Sequence, residues 1–339
     1  MRMTVVNHSL SDKLFGIQIL RGLAAMCVVI YHIQLLAAKN GFDSIALINP
    51  IFAHMYYGVD IFFVISGLIM AKTVIKKDIS VSKFIRNRLI KIVPLYWVMT
   101  IIFFVGINLL SDIISINAYS YKDLLSSLTF LSGIAQNQVP IIDQGWSLEY
   151  EMIFYGLIAF FMIFIKGIKT IMLAIFCLFL FSIFGLDLIV LEFAYGVCIF
   201  IVISKFKLSK FLSRSLILMG LAILFLISLS GIGNDYRFFF FGFPAALIVL
   251  GSTSVNVTSE SKLVFLGEIS YSIYLAQSLI LWWLVQLADQ IPFLNVQIFF
   301  YVCLVPIFCI LTGYCVNKFL ERPLDVFAKK LVNSVFGPQ

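Results

Sequence analysis

An arginine and a histidine lie inside a hydrophobic stretch, residues 16–33, that is long enough to span a bilayer. An arginine near the middle of a membrane costs about 2.5–3.5 kcal/mol, so an ionisable residue there usually has a function inside the protein. Arg21 and His32 are separated by close to three helical turns, which places both on one helix face, with Gln18 near the same stripe. The stretch therefore predicts a polar line across the membrane, with a guanidinium near one end and an imidazole further along.

The composition places this stretch in a membrane protein. Of the 339 residues, 62% are hydrophobic and 12% are charged, whereas the apolar share of soluble domains is about 45–50%. The net charge of +7 comes from cations between apolar runs, which favours membrane topology over nucleic-acid binding as its explanation. All three histidines precede residue 55, so no metal site is predicted, and the six cysteines are interpreted as small apolar core residues.

The apolar runs predict an all-α bundle of ten transmembrane helices in a single domain, residues 1–339. The predicted spans are residues 15–38, 52–71, 92–110, 146–165, 171–186, 188–203, 216–232, 238–254, 270–288 and 296–317. The first run has no cleavage motif, so it is expected to remain as the first span. An even number of spans puts both termini on one side of the membrane.

The basic residues orient this bundle. With cytoplasmic termini, all of the 24 lysines and arginines except Lys39, Lys122 and Arg237 face the cytoplasm. Residues 72–91 alternate apolar and basic side chains and predict an amphipathic cytoplasmic connection. Residues 111–145 form the longest outer segment, with a short helix expected around residues 121–131, and a tight turn is expected at residues 185–187.

Three titratable groups are predicted to converge on the outer half of the membrane. From the predicted span ends, His32 lies about 25 Å from the inner face, Asp60 about 12 Å below the outer face and Glu151 about 8 Å below it. Glu151 is favoured over Glu149, which is expected nearer the solvated interface. An imidazole can accept a hydroxyl proton while a carboxylate orients it, which is general base chemistry.

The cytoplasmic boundary has the opposite character, because Arg21, Arg88 and Lys91 are all cationic there. Arginine offers phosphate a two-pronged fork and lysine offers a point charge. A phosphate-bearing donor inside and a hydroxyl acceptor outside fit acyl transfer from acyl-coenzyme A.

Six blocks of the sequence resemble, in order, those of the acyltransferase 3 family. The blocks are Leu20-Arg21-Gly22 with His32, residues 58–67, residues 88–97, residues 146–155, residues 269–275 and Glu321-Arg322-Pro323. The resemblance implies that Arg21 and His32 form the functional pair, that Glu151 is the acid of the fourth span and that the donor is acetyl-CoA. It implies acceptors among cell-surface glycans. Residues 17–21, 191–193 and 237–251 resemble the exopolysaccharide branch more closely.

Three positions depart from that family pattern. Gln18 stands where many members have an acid, and Lys91 replaces the second arginine of an Arg-x-x-Arg pair. Lys91 keeps the charge but loses the fork. Gln277 stands where many members have a histidine and cannot titrate, which leaves the proton transfer to His32.

Each site residue also has a structural interpretation. Arg21 can extend its charge to the interface, Arg88 and Lys91 can set topology, and His32 can bond within the bundle. Asp60, Glu192 and Arg237 are predicted either as acceptor contacts or as paired structural groups, and Tyr274 either as a packing residue or as a donor to an oxyanion.

The sequence thus predicts a bacterial inner-membrane O-acyltransferase that acts on exopolysaccharide, capsule or lipopolysaccharide O-antigen, free or lipid-linked. A glycan transporter or flippase is the alternative, because polar groups in a helical bundle also mark transport pathways. A transporter would more often show paired halves and broken helices, which the sequence lacks. A membrane sensor or scaffold would tolerate loss of Arg21 and His32.

Overall fold

The computed structural model describes residues 14–39, 49–76, 79–114, 117–231, 236–255, 257–288 and 304–336, and within them it contains helices and no strands. The helices are α1 (Phe15–Lys39), α2 (Asn49–Phe52), α3 (Tyr57–Val74), α4 (Val81–Ile114), α5 (Tyr121–Leu128), α6 (Ser132–Gln136), α7 (Gly145–Met162), α8 (Ile168–Ile183), α9 (Glu192–Lys205), α10 (Lys210–Ser230), α11 (Phe243–Ser252), α12 (Lys262–Glu268), α13 (Ser270–Ala288), α14 (Val305–Val316) and α15 (Arg322–Phe336). A 3-10 turn, Leu188–Leu191, precedes α9, and π-helical turns Phe238–Gly242 and Asn317–Glu321 precede α11 and α15.

The prediction of an all-helical membrane protein is confirmed. Within the described parts of the chain, five helical stretches are long and apolar enough to cross a membrane, and six if α12 and the first part of α13 count as one span. The five are Phe15–Leu36, Tyr57–Val74, Val81–Ser111, Leu188–Lys205 and Lys210–Ser230. Every predicted range overlaps a helix, but the count of ten and the side of the termini stay predictions, and residues 296–303 lie outside the described residues.

The basic connection between the second and third predicted spans differs from its prediction. The amphipathic segment expected over residues 72–91 is divided between the end of α3 and the first turns of α4, which runs on without a break into the next span. The first glycine after Val81 is Gly106, and Pro94 lies inside the helix without ending it. The helix expected around residues 121–131 is confirmed as α5, which begins at a Ser120–Asp123 capping box.

The described residues group into two units. The first unit draws on residues 1–79 and 161–270, and the second on residues 80–160 and 271–339. The first unit therefore contains α1 to α3 and α8 to α12. The second contains α4 to α6, most of α7, and α13 to α15.

Glycines allow the helices of the first unit to approach closely. A Cβ atom on Gly196 of α9 would lie 2.8 Å from the carbonyl carbon of Gly67 on α3. A Cβ on Gly58, also on α3, would lie 2.9 Å from a methyl group of Val28 on α1. Small residues at such crossings let backbones pack together inside membranes. The same kind of contact, between Gly22 and Gly267, joins α1 to α12 beside Arg21.

The second unit is held by polar links between its helices. The Tyr271 hydroxyl on α13 donates to the Ile92 carbonyl on α4 at 2.8 Å. The Trp97 indole N–H donates to the Leu128 carbonyl at the end of α5, also at 2.8 Å. Polar side chains such as these link transmembrane helices across their interfaces. They connect α4 to both its sequence neighbour and the C-terminal part of the chain.

Candidate functional site

His32 lies in the middle of α1, and a backbone contact defines its tautomer. Its Nδ1 atom is 2.8 Å from the carbonyl oxygen of Val28, one turn earlier in the same helix. Because a carbonyl can only accept, Nδ1 must carry the proton, and Nε2 of the neutral ring then carries the lone pair. His32 therefore presents a basic nitrogen while its other nitrogen is fixed by the backbone. We expected a carboxylate to orient the His32 ring. At Nδ1, the Val28 carbonyl contributes to this orientation.

Arg21 lies on the same helix, which is unbroken from Phe15 to Lys39. The predicted shared face of Arg21 and His32 therefore exists. Both side chains are half-buried, whereas Ala24 and Ala25, one turn after Arg21, are fully buried. The close contact of Gly22 with Gly267 brings the end of α12 against this part of α1.

The three residues predicted as acceptor contacts in the first unit form one buried cluster. The Arg237 guanidinium donates to Asp60 through Nε at 2.9 Å and through Nη2 at 2.6 Å. Asp60 is 0% exposed and the Arg237 side chain is 16% exposed. Two parallel bonds of this kind are the strongest form of arginine–carboxylate pairing.

Glu192 completes this cluster at the first residue of α9. It is also 0% exposed, and its electrostatic partners include Asp60 and Arg237. Neither carboxylate oxygen lies in hydrogen-bond geometry with a described residue. A Cβ on Gly242 would lie 2.8 Å from one of these oxygens, so the absence of a side chain there makes room for the carboxyl group.

A chain of aromatic rings connects this cluster to His32. The ring of Tyr31 meets that of His32 edge-on at 5.2 Å and that of Tyr56 edge-on at 5.3 Å. The Arg237 guanidinium lies over the Tyr56 ring at 4.6 Å, within the range of a cation–π interaction. His54 lies 5.9 Å from Tyr56. The first unit therefore brings His32, Asp60, Glu192 and Arg237 into one continuous set of contacts.

In the second unit, Lys91 is bound by Glu321, a residue that the sequence motif contained but to which no role was assigned. The ammonium group donates to Glu321 Oε1 at 2.5 Å and lies 3.9 Å from Asp325. Oε2 of the same carboxylate accepts from Ser272 at 2.6 Å and from Asn317 at 2.7 Å. Glu321 thus links α4, α13 and the turn before α15.

Asp325, an acidic residue on α15, is a weaker partner of Lys91 than Glu321 is. Burial raises the pKa of Asp325 above its usual range, and the Lys91 charge opposes that shift without cancelling it. Its distance from Lys91 is also long for an ion pair. Glu321 is therefore the main partner of Lys91.

Arg88, one turn before Lys91, differs from it. The side chain is half-buried, and its Nε atom is buried with no hydrogen-bond partner among the described residues. A buried guanidinium nitrogen without a partner is costly, and a ligand that accepts a hydrogen bond would remove that cost. Arg88 therefore fits the predicted contact with an anion better than Lys91 does.

The two glutamates of α7 have roles that the sequence analysis assigned only in part. Glu149, expected to be solvated, is 2% exposed and accepts from the backbone N–H groups of Ser132 and Gly133, both at 2.9 Å. It therefore caps the N-terminus of α6, because the first N–H groups of a helix lack partners within it. Glu151 is half-buried and acts electrostatically on Tyr271.

Tyr274 and Gln277 are structural in their contacts. The Tyr274 hydroxyl donates to the Gln144 carbonyl at 3.2 Å and lies 2.8 Å from the Ser147 hydroxyl. Gln277, fully buried, donates to the Tyr274 carbonyl at 3.0 Å. Tyr274 therefore connects α13 to the start of α7. Among the described residues, no group of three or more histidine, cysteine, aspartate or glutamate side chains could hold a metal ion.

Sequence reasoning missed Tyr31, Tyr56 and Glu321. Tyr31 directly precedes His32, and Tyr56 lies in the second predicted span four residues before Asp60, so both were close to assigned residues. Glu321 is the only acid in a basic segment after the last span, residues 318–322, and that isolation was the available signal.

Comparison with known proteins identifies the family. An acyltransferase domain model, that of the acyltransferase 3 family, matches residues 14–315. The exopolysaccharide production protein ExoZ of Rhizobium meliloti (strain 1021) is 34% identical over 105 residues, which are 30% of this chain and 32% of that relative. The alignment thus spans about a third of the relative's length. No solved structure matches significantly. Because the family model covers most of its length, the chain belongs to the acyltransferase 3 family.

Proposed function

We propose that this protein is a bacterial inner-membrane O-acyltransferase that moves an acyl group, an acetyl group by family resemblance, from cytoplasmic acyl-CoA to a hydroxyl of a cell-surface polysaccharide. The observation that carries the proposal is His32, which lies inside a membrane-spanning helix of an acyltransferase with Nδ1 bonded to Val28 and Nε2 basic. The name of the relative ExoZ supports exopolysaccharide as the acceptor, over capsule or O-antigen.

His32 is the proposed general base and acid. Its Nε2 takes the proton of the acceptor hydroxyl as that oxygen attacks the thioester carbonyl carbon. The tetrahedral intermediate collapses with cleavage of the carbon–sulfur bond, and the imidazolium returns the proton to the departing thiolate. The products are an ester and free coenzyme A. General acid–base catalysis of this kind contributes about 10²–10⁴-fold to a rate.

Arginines are the proposed ligands of the donor phosphates. Arg88 has a buried Nε without a partner, and Arg21 shares the face of α1 that carries His32. Lys91, also predicted to bind the donor, is held by Glu321 and would have to exchange that partner for a phosphate. Glu151 remains the proposed acid by family resemblance, stabilising the charged imidazolium, since the Val28 carbonyl already orients the ring.

Transfer can be measured with the purified protein in nanodiscs. The donor is acetyl-CoA labelled in the acetyl group, and the acceptor is the host's own exopolysaccharide stripped of esters with mild base. We expect label to enter the polysaccharide and to be released again by mild base, since it is held as an ester. If the folded protein leaves all label in acetyl-CoA or as free acetate, the proposal is wrong. Palmitoyl-CoA in a parallel reaction tests the preference for a short acyl group.

A further inference from the structure

Partly exposed aromatic rings lie directly beside His32. Tyr31 contacts His32 and Tyr56 edge-on, and the ring of His54 lies 5.9 Å from that of Tyr56. Tyr31 and His54 are half-buried, whereas Tyr56 is 9% exposed. Tyrosine and histidine combine an apolar ring with a polar tip. The surface next to the proposed base is therefore apolar in area and polar at its edges.

Arg237 adds a cationic group to the same surface. Its guanidinium lies over the Tyr56 ring and bonds to the Tyr56 carbonyl at 3.3 Å, so the two side chains form one unit. Asp60 and Glu192 lie behind it and are 0% exposed, so they cannot touch a ligand as the structure stands. Arg237 retains partial exposure. The cluster thus has a buried acidic back, and in front of it Tyr31, His54 and Arg237 are partly exposed around the buried Tyr56 ring that all three contact.

We propose that the sugar ring of the acceptor lies on the partly exposed Tyr31, His54 and Arg237 side chains, which together with the buried Tyr56 that they contact form the aromatic wall. A pyranose ring has an apolar C–H face and hydroxyl groups at its rim. Binding sites for such ligands combine aromatic area with a few fixed polar groups, as this surface does. The inference rests on the proposed function and names the acceptor-binding part of that site.

The charges of the cluster specify the kind of sugar. Asp60 engages both Nε and Nη2 of Arg237, and Glu192 adds a second carboxyl group to the same guanidinium. The positive charge of Arg237 is therefore already balanced within the protein, and an acidic sugar gains little attraction from it. The aromatic wall fits a neutral sugar. Asp60 and Glu192 are positioning residues, since they act on the acceptor through Arg237.

The inference is tested by separating the KM for acceptor from the KM for donor in nanodisc-embedded protein. The acceptor probe is a set of neutral oligosaccharide fragments of the host's exopolysaccharide, stripped of esters. Removal of one aromatic face, in Tyr31→Ala or His54→Ala, is expected to raise the acceptor KM by about 10-fold. Tyr121→Ala, the same exchange at an exposed tyrosine of α5 outside the aromatic wall, is the matched control and should stay within about twofold of the parent, as should every donor KM.

Two further variants test Arg237 and the residue that positions it. Arg237→Lys keeps the charge but loses the fork, and Asp60→Asn loses the charge that holds it. Both should raise the acceptor KM while leaving the KM for acetyl-CoA unchanged, a split that a merely unstable protein would not show.

The results that would overturn the inference differ from those that would overturn the proposed function. If the parent protein acylates the fragments and Tyr31→Ala, His54→Ala and Arg237→Lys all keep its acceptor KM, the aromatic wall does not bind the acceptor. The same conclusion follows if fragments containing glucuronic acid are preferred over the neutral ones. If the parent protein acylates no fragment at all, the proposed function fails, and this inference fails with it.

Discussion

Two buried glutamates, one in each unit of the protein, have opposite environments. Glu321 is 2% exposed and all its partners are present: Lys91 on one oxygen, and Ser272 and Asn317 on the other. Glu192 is 0% exposed, and neither of its oxygens is in hydrogen-bond geometry with a described residue. The Glu321 carboxylate is thus hydrogen-bonded at both oxygens. The Glu192 carboxylate lies beside the Asp60–Arg237 pair but outside hydrogen-bond geometry.

This difference in hydrogen bonding distinguishes a glutamate that stabilises the fold from one that belongs to the proposed site. A buried polar network with every member satisfied makes a structure rigid and specific, whereas incomplete satisfaction costs free energy and is tolerated mainly at functional sites. We infer that the Glu321 network holds the second unit together. The cluster of Asp60, Arg237 and Glu192 is connected to His32 by the rings of Tyr31 and Tyr56. Near the proposed base, a loss of stability can be offset by a gain in activity.

The largest expected effect comes from Glu321→Gln. The change removes the charge that pairs with Lys91 and places an amide donor where Ser272 and Asn317 also donate. Glu321 is buried but the Lys91 side chain is 44% exposed, so the loss is smaller than the roughly 3–5 kcal/mol typical of a fully buried ion pair, and a decrease of about 2 kcal/mol in the free energy of unfolding is expected. Unfolding by SDS in mixed micelles measures it.

Asp325→Asn is the matched control for this change, because Asp325 is the distant, partly exposed partner of the same lysine. It should cost less than about 1 kcal/mol. Equal losses from both variants would show that the Glu321 network has no special role in stability.

An intermediate effect is expected at the two cations of α4. Arg88→Lys removes the fork from a guanidinium whose Nε has no partner, and should raise the KM for acetyl-CoA by about 10-fold. The reverse exchange, Lys91→Arg, leaves the cation bound to Glu321 and should keep that KM within about twofold. A larger effect from Lys91→Arg would mean that Lys91, and not Arg88, is the main phosphate ligand.

The smallest effect is expected from Glu192→Gln, which makes the same chemical change as Glu321→Gln at the other buried glutamate. The exchange keeps the shape of the side chain, and neither carboxylate oxygen is in hydrogen-bond geometry with a described residue. The free energy of unfolding should therefore change by less than about 1 kcal/mol. A loss as large as that of Glu321→Gln would remove the distinction between the two glutamates.

The sequence predicted what depends on local periodicity. Local sequence alone predicted the shared helix face of Arg21 and His32 and the short helix around residues 121–131. Both are present in the structure. The pairing of Asp60 with Arg237 was left open, because the two are far apart in the chain and nothing local indicates that contact. Glu149 was expected to be solvated, but the N-terminus of α6 supplies it with buried N–H donors.

The hydrogen-bond partners of Arg88 and Lys91 also distinguish these two cations. Arg88 and Lys91 look alike in sequence as basic residues beside a span, and only the fold shows that Glu321 occupies one of them. Similarly, where a carboxylate was expected to orient His32, the Val28 carbonyl of the same helix accepts a hydrogen bond from Nδ1. A backbone group that takes the place of a side chain cannot be recognised from a sequence motif.

The most direct test of the central claim is the content of ester-linked acyl groups in the surface polysaccharide of cells that carry either the parent gene or His32→Ala, measured by NMR before and after mild base. The two proteins must be present in the membrane in equal amounts and unfold alike in micelles. The account predicts that loss of the basic nitrogen lowers acylation by about 100-fold or more. Full acylation in cells with His32→Ala would contradict it.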